Sequence, residues 1–305
     1  MSWLLAILLA ATLPSFEEFR AADRGRRESR QWQSDESARL LRVDPALVTR
    51  VADKQRDYWN IQWGAAELLE DWKQKQPRFE AALAKSGSNV MVALRFACAA
   101  AEAGQSERAL KLLEHCQQQD ATNRAPWLVE LWVLREMGDA DRFEPTGAGP
   151  QYRDGADEAA RARIRVLEVA GYSKYAARRV GFLPKMHTLR MAQDLRRGHH
   201  EGYVSEFLLE TARAMQTGAT FLVEDLVGQS LESAMWERQT SSPGKETRIE
   251  ELAVRRASLT KLVQQMEPLA DTATEEEMVR YYDNLLLIGE VEAMKRLARE
   301  VRSSK

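Results

Sequence analysis

Residues 89–139, NVMVALRFACAAAEAGQSERALKLLEHCQQQDATNRAPWLVELWVLREMGD, carry regular punctuation. Asn89 and Asn123 stand 34 residues apart, and so do Gly104 and Gly138. Asn is a favoured residue at helix starts and Gly at helix ends, because the first accepts from free amides and the second enters the left-handed region without strain. The spacing predicts a helix from Asn89 to Ala103, a turn at Gly104, and a second helix from Ser106 carrying Ala109, Leu110, Leu112, Leu113 and Cys116. After DATN the pattern begins again with Trp127, Leu128, Leu131 and Leu134 and stops at Gly138. A two-helix unit cannot bury both faces alone, so it stacks on neighbours of its own kind.

These residues resemble a tetratricopeptide repeat, whose period is about 34 residues and whose pattern runs W-x2-L-G-x2-Y, A-x3-F, P. The first unit offers Ala93, Phe96, Ala97 and Ala100 in its opening helix and Ala109, Leu113, Cys116 and Ala121 in its second. The next has Trp127 at the tryptophan position, but Glu130 and Leu131 where Leu and Gly are expected. A weaker echo ends at Gly171, followed by Ala176 and Ala177. The good match covers about 50 residues and the echo extends it to about residue 181. The expected fold is therefore all-α: antiparallel helical hairpins stacked as an irregular α-solenoid.

Composition agrees with a helical protein. The chain has 305 residues, 44% hydrophobic and 30% charged, with only 9 Pro and 16 Gly. Ala, Leu, Glu, Arg and Gln dominate it, and these residues lose little freedom in a helix. A net charge of −2 supplies no global field for nucleic acid or an anionic membrane. Two cysteines, Cys98 and Cys116, are too few for a disulfide framework and read first as small buried apolar residues.

The amino terminus is apolar from Trp3 to Leu13, closes at Pro14, and is followed by Arg20, Arg24, Arg26, Arg27 and Arg30. No Lys or Arg precedes Trp3, which argues against a cleaved signal. The charge order favours a membrane anchor with the arginines, and the helical body, on the cytoplasmic side. A buried first helix and a signal peptide, giving a cytoplasmic or an exported protein, remain as alternatives. Four regions follow: 1–19 as the hydrophobic segment, 20–88 as a charged helical connector with a tryptophan-rich helix, 89–181 as the repeat-like hairpins, and 182–305 as a helical region with a linker at 240–244.

No phosphate-binding glycine loop, G-x-S-x-G or H-E-x-x-H is present. His187, His199, His200 and Glu201 match no metal spacing. No cofactor or metal is expected, and no catalytic residue. Trp59 and Trp63 share a helix face that Ala66 continues and that Leu68, Leu69 and Trp72 widen, a pattern read as packing, or else as the cleft of a cell-envelope hydrolase. Residues 173–200 carry seven Lys/Arg and residues 201–237 seven acids. The two blocks are expected to face each other across a hairpin; the rival is nucleic-acid binding through the basic helices. The expectation is a non-enzymatic scaffold that binds a protein or peptide partner. The resemblance implies a concave groove formed by the first helices of the hairpins, and Arg95, Glu102, Trp127 and Arg135 are placed on it.

Overall fold

The computed structural model describes residues 13–29, 40–182, 187–198, 202–238 and 243–303. Among these, every regular element is a helix: α1 (Phe16–Ser29), α2 (Pro45–Lys54), α3 (Trp59–Leu68), α4 (Trp72–Lys85), α5 (Val90–Glu102), α6 (Ser106–Gln119), α7 (Ala125–Met137), α8 (Ala156–Val169), α9 (Lys174–Gly181), α10 (His187–Arg197), α11 (Gly202–Gly218), α12 (Leu222–Arg238), α13 (Lys245–Thr272), α14 (Glu275–Ile288) and α15 (Glu290–Ser303). The apolar run at residues 3–12 lies outside the described residues. No described helix is long and apolar enough to cross a membrane.

The punctuation does what the spacing predicts. Asn89 caps α5, its Oδ1 accepting from the amides of Met91 at 2.9 Å and Val92 at 3.2 Å. Asn123 plays a related part at the start of α7, where its Oδ1 accepts from Ala125 N at 3.1 Å and Arg153 N at 2.9 Å. Gly104 and Gly138 both have positive φ, 71° and 82°, and end their helices there. In the α5–α6 hairpin Ala97, Ala109 and Cys116 are fully buried, so the small residues lie where the two helices meet. Both cysteines are free and buried.

Elsewhere the structure departs from the sequence pattern. Trp59 to Trp72 is not one helix: α3 stops at Leu68, Leu69 is extended, and Asp71 caps α4 by accepting from Lys73 N at 3.1 Å. Trp72 therefore opens the following helix. Pro77 sits inside α4 rather than ending it, and α13 continues through Pro268 to Thr272. Residues 143–155 form no helix, yet Phe143 and Tyr152 are buried.

Helices α3 to α7 pack each on the next. Then the chain turns back: α8 lies against α3 and touches α2, while α10 lies on α7 and α12. The α3–α8 crossing depends on Gly64, where a Cβ would stand 2.2 Å from the Ala162 carbonyl oxygen. Helices α11 and α12 pair, α9 joins α8 to α14, and α13 lies across α12 and α15. One large core gathers residues of α5, α6, α7, α10, α11 and α12; a second gathers α1, α8, α9, α14 and α15. Helix α1 is docked on the second core, with the Phe16 ring edge-on to Tyr175 at 4.8 Å.

Helix α10 of the basic block does pack on α12 of the acidic one, and Arg196 donates to Ser230 there at 2.9 Å, but among the described residues no ion pair joins the two blocks. Arg178 pairs with Glu168 and Asp283, Arg179 with Asp23, and Arg190 with Glu102. On the acidic side Glu210 pairs with Arg124, Asp225 with Arg255, and Glu232 with Arg213 and Arg248. Burial of Leu189, Ala192 and Leu195 fixes how α10 lies, and the paired charges take counterions from outside the opposite block. Exposed pairs worth about 0–1 kcal/mol each cannot override that packing.

Candidate functional site

Where α3, α5 and α8 meet, three charged side chains are shut inside the protein. Glu67 closes the apolar face of α3; Arg95 lies midway along α5 and Arg163 midway along α8. Arg95 grips Glu67 with both prongs of its guanidinium, Nε to Oε1 at 2.9 Å and Nη2 to Oε2 at 3.0 Å. Arg163 adds Nη1 to Oε2 at 3.3 Å and donates from Nε to the Gly181 carbonyl at 2.8 Å. Burial alone would push the Glu67 carboxyl up, but Arg95 and Arg163 outweigh it and hold it well below the usual carboxylate range. Burial and the neighbouring Arg95 charge bring Arg163 down to about 10, against the pull of Glu67, which still leaves it protonated at neutral pH.

A second polar group adjoins this one. Glu102, at the end of α5, takes a 2.6 Å contact from His187 Nδ1 and a hydrogen bond from Arg190 at 2.8 Å. Burial lowers the His187 pKa, opposed by Glu102. Asp154 accepts from Thr188 Oγ1 at 2.5 Å and from Ala156 N at 2.9 Å. Nearby carboxyls behave differently: burial and repulsion from Asp154 raise Glu224 to about 8, and burial with repulsion from Asp157 and Asp154 raises Glu158 to about 7. Burial also pushes the Cys98 thiol far up. Chemically the centre is a closed set of charge-assisted hydrogen bonds that ties α3, α5, α8 and α10 together. Among the described residues no group of His, Cys, Asp and Glu is arranged to hold a metal ion; His199, His200 and Glu201 lie outside them.

The four residues placed on a groove by sequence are dispersed. Arg95 is 0% exposed, which leaves it no surface to offer a partner. Glu102 is partly buried beneath His187 and Arg190. Trp127 packs, partly buried, against the larger core, and Arg135 donates to the Asp194 carbonyl at 2.9 Å. Trp63 is buried and stacked on Trp59, with ring centroids 6.0 Å apart, and Trp72 lies against Phe96. Sequence reading missed Glu67 and Arg163. One signal was available for Glu67, a lone acid in the apolar run from Trp59 to Leu69; Arg163, one of several charges in ARARIRV, had none.

What the surface offers instead is a depression beside the Gly104 turn, of about 630 Å³. Phe96 and Leu112 supply its apolar floor, while Glu80, Arg108 and Lys111 stand at its rim. Arg108 lies over the Phe96 ring, 5.6 Å from its centroid, and pairs with Glu80 at 2.8 Å.

No family model, curated protein or solved structure matches the chain.

Proposed function

We propose that this protein is a non-enzymatic helical-repeat scaffold that binds a protein or peptide partner, with its hairpins arranged in the manner of an irregular α-solenoid over residues 59–137. The observation that carries the reading is the depression beside the Gly104 turn: an apolar floor at Phe96 and Leu112, rimmed by Arg108, Lys111 and Glu80. Such a floor suits one apolar anchor of an amphipathic segment, and the rim suits its flanking polar groups. The serial packing of α3 to α7 and the closed state of the buried charges support a role in presenting surface rather than in moving protons. The apolar residues 3–13 followed by arginines support a membrane tether with the body on the cytoplasmic side.

The test is site-specific photocrosslinking in the native cell. A photoreactive residue at Lys111 should capture one polypeptide that the same residue at exposed Gln118 does not capture. Leu112→Asp should abolish that product at a temperature where circular dichroism shows the variant still folded, a control needed because Leu112 is partly buried against the core. Identical products at both positions, or a Lys111 product untouched by Leu112→Asp, would reject the groove. Recovery of the full-length protein in the soluble fraction would reject the tether.

A further inference from the structure

Beneath α1 lies a separate cavity of about 270 Å³. Helix α1 forms one wall with Phe16, Arg20 and Asp23; α9 brings Tyr175 and Arg179; α13, α14 and α15 close the remainder. Its volume falls just below the range of about 300–1,000 Å³ usual for drug-sized ligands, so an occupant has to be small.

The walls state the chemistry of that occupant. Met266, Met278 and Leu297 are apolar and buried, and two further rings, Tyr175 and Tyr282, stand 6.1 Å apart. Burial raises the pKa of both phenols, so they stay neutral donors at physiological pH. Arg179 is already matched, holding both oxygens of Asp23 at 2.9 and 3.3 Å, and Asp271 is engaged in an interaction of its own. Arg20 is different. Its Nε is buried and has no hydrogen-bond partner among the described residues. Its ion-pair neighbour Glu17 is met through Nη1 at 3.8 Å and is itself 77% exposed. The Arg20 side chain is 26% exposed overall, but its Nε is shut from water, and a buried cationic N–H left unmade is costly, so it calls for an acceptor carried by the occupant. A single such donor, beside two acids, calls for one negative charge rather than several.

We propose that this cavity is a binding site for a small monocarboxylate with an apolar tail. The carboxylate accepts from Arg20, and the tail lies against Met266, Met278 and Leu297. Because Arg20 and Phe16 sit on α1, occupancy fastens that helix to the body.

Calorimetry and ligand-observed NMR on the full chain test this with octanoate and 3-phenylpropanoate as probes, and octan-1-ol and octylammonium as matched controls. At least one carboxylate should bind saturably, one per chain, with the alcohol weaker by about tenfold and the ammonium not binding. Arg20→Ala should weaken the carboxylate by about tenfold, the loss expected for one charged hydrogen bond. Ala270→Phe, which fills the cavity from a partly exposed position on α13, should abolish binding while the melting temperature holds. The proposal is overturned by saturable binding of neither carboxylate to the parent chain, by octylammonium binding as well as octanoate, or by carboxylate binding that survives Ala270→Phe.

Discussion

Glu67 is the residue on which three helices depend. Removing its charge leaves Arg95 and Arg163 buried without a counterion, and an uncompensated buried charge of this kind costs about 3–5 kcal/mol. Glu67→Gln should therefore lower unfolding free energy by that amount in urea titrations. The triple change Glu67→Leu, Arg95→Met, Arg163→Met removes all three charges together, and should recover much of the loss, since a well-packed apolar substitute avoids the desolvation penalty. Glu224 makes the opposite kind of prediction. Burial first, and then Asp154, raise its carboxyl from 4.5 to about 8, while the amides of Phe221 and Thr220 pull it down. Between those values the folded chain keeps a proton that the unfolded chain releases, so stability falls as pH rises through that window, by on the order of 1 kcal/mol per pH unit. Glu224→Gln should flatten the decline in urea midpoints measured from about pH 5 to about pH 8. An equally steep decline in the variant would contradict the assignment.

At the scale of the helix, Gly64 gives the sharpest test because two effects oppose each other there. Alanine in a helix interior is favoured over glycine by about 1 kcal/mol. Here, however, the added Cβ would meet the Ala162 backbone oxygen at 2.2 Å, and backbone cannot swing away as a side chain does. Gly64→Ala should destabilise by more than about 2 kcal/mol, seen as a lower melting temperature, with α8 displaced from α3. Ala97→Leu in the α5–α6 hairpin should cost roughly 1–3 kcal/mol by overpacking, whereas exposed Gln118→Leu should stay within about half a kcal/mol. The hairpin was legible in the sequence because its signals are local: an Asn cap, a run of small residues, a glycine with positive φ. The break at Leu69 was not, since Trp72 continues the apolar spacing of Trp59 and Trp63 and hides the Asp71 cap among surrounding charges. The charged centre was illegible for a different reason. Arg95 lies 28 residues from Glu67 and Arg163 lies 96 away, and no local pattern records a partner at that distance. The arginine blocks misled for the same reason, since Arg178 finds Asp283 and Arg179 finds Asp23 from distant helices.

Over the whole molecule the ionisable groups set a pH profile. Burial pushes Glu232 up, but hydrogen bonds from Arg248, Gln216, Trp236 and Arg213 prevail and bring it from 4.5 down to about 2. Depressed carboxyls such as Glu232 and Glu67 contribute stability above their unfolded pKa, and that contribution drains away as pH falls toward the folded value. The raised, buried carboxyl of Glu224 adds a decline that begins at the unfolded value of 4.5 and runs up to about pH 8. Stability should thus peak in a mildly acidic window, between about pH 4 and 6, in a thermal-melt series across pH. A maximum at or above neutrality would mean that Glu224 does not carry a raised value. The return of α8 onto α3 has a consequence in time. Contacts within α4 to α7 join neighbours along the chain and can form while it is still being made, but the α3–α8 seam must wait until all four intervening helices have been made. Closing so long a loop before any reward is collected is slow, so α3 spends the interval with the Gly64 face uncovered and Glu67 without its Arg163 partner. That interval is when the nascent chain is most open to misassociation, and when a chaperone has the most to cover.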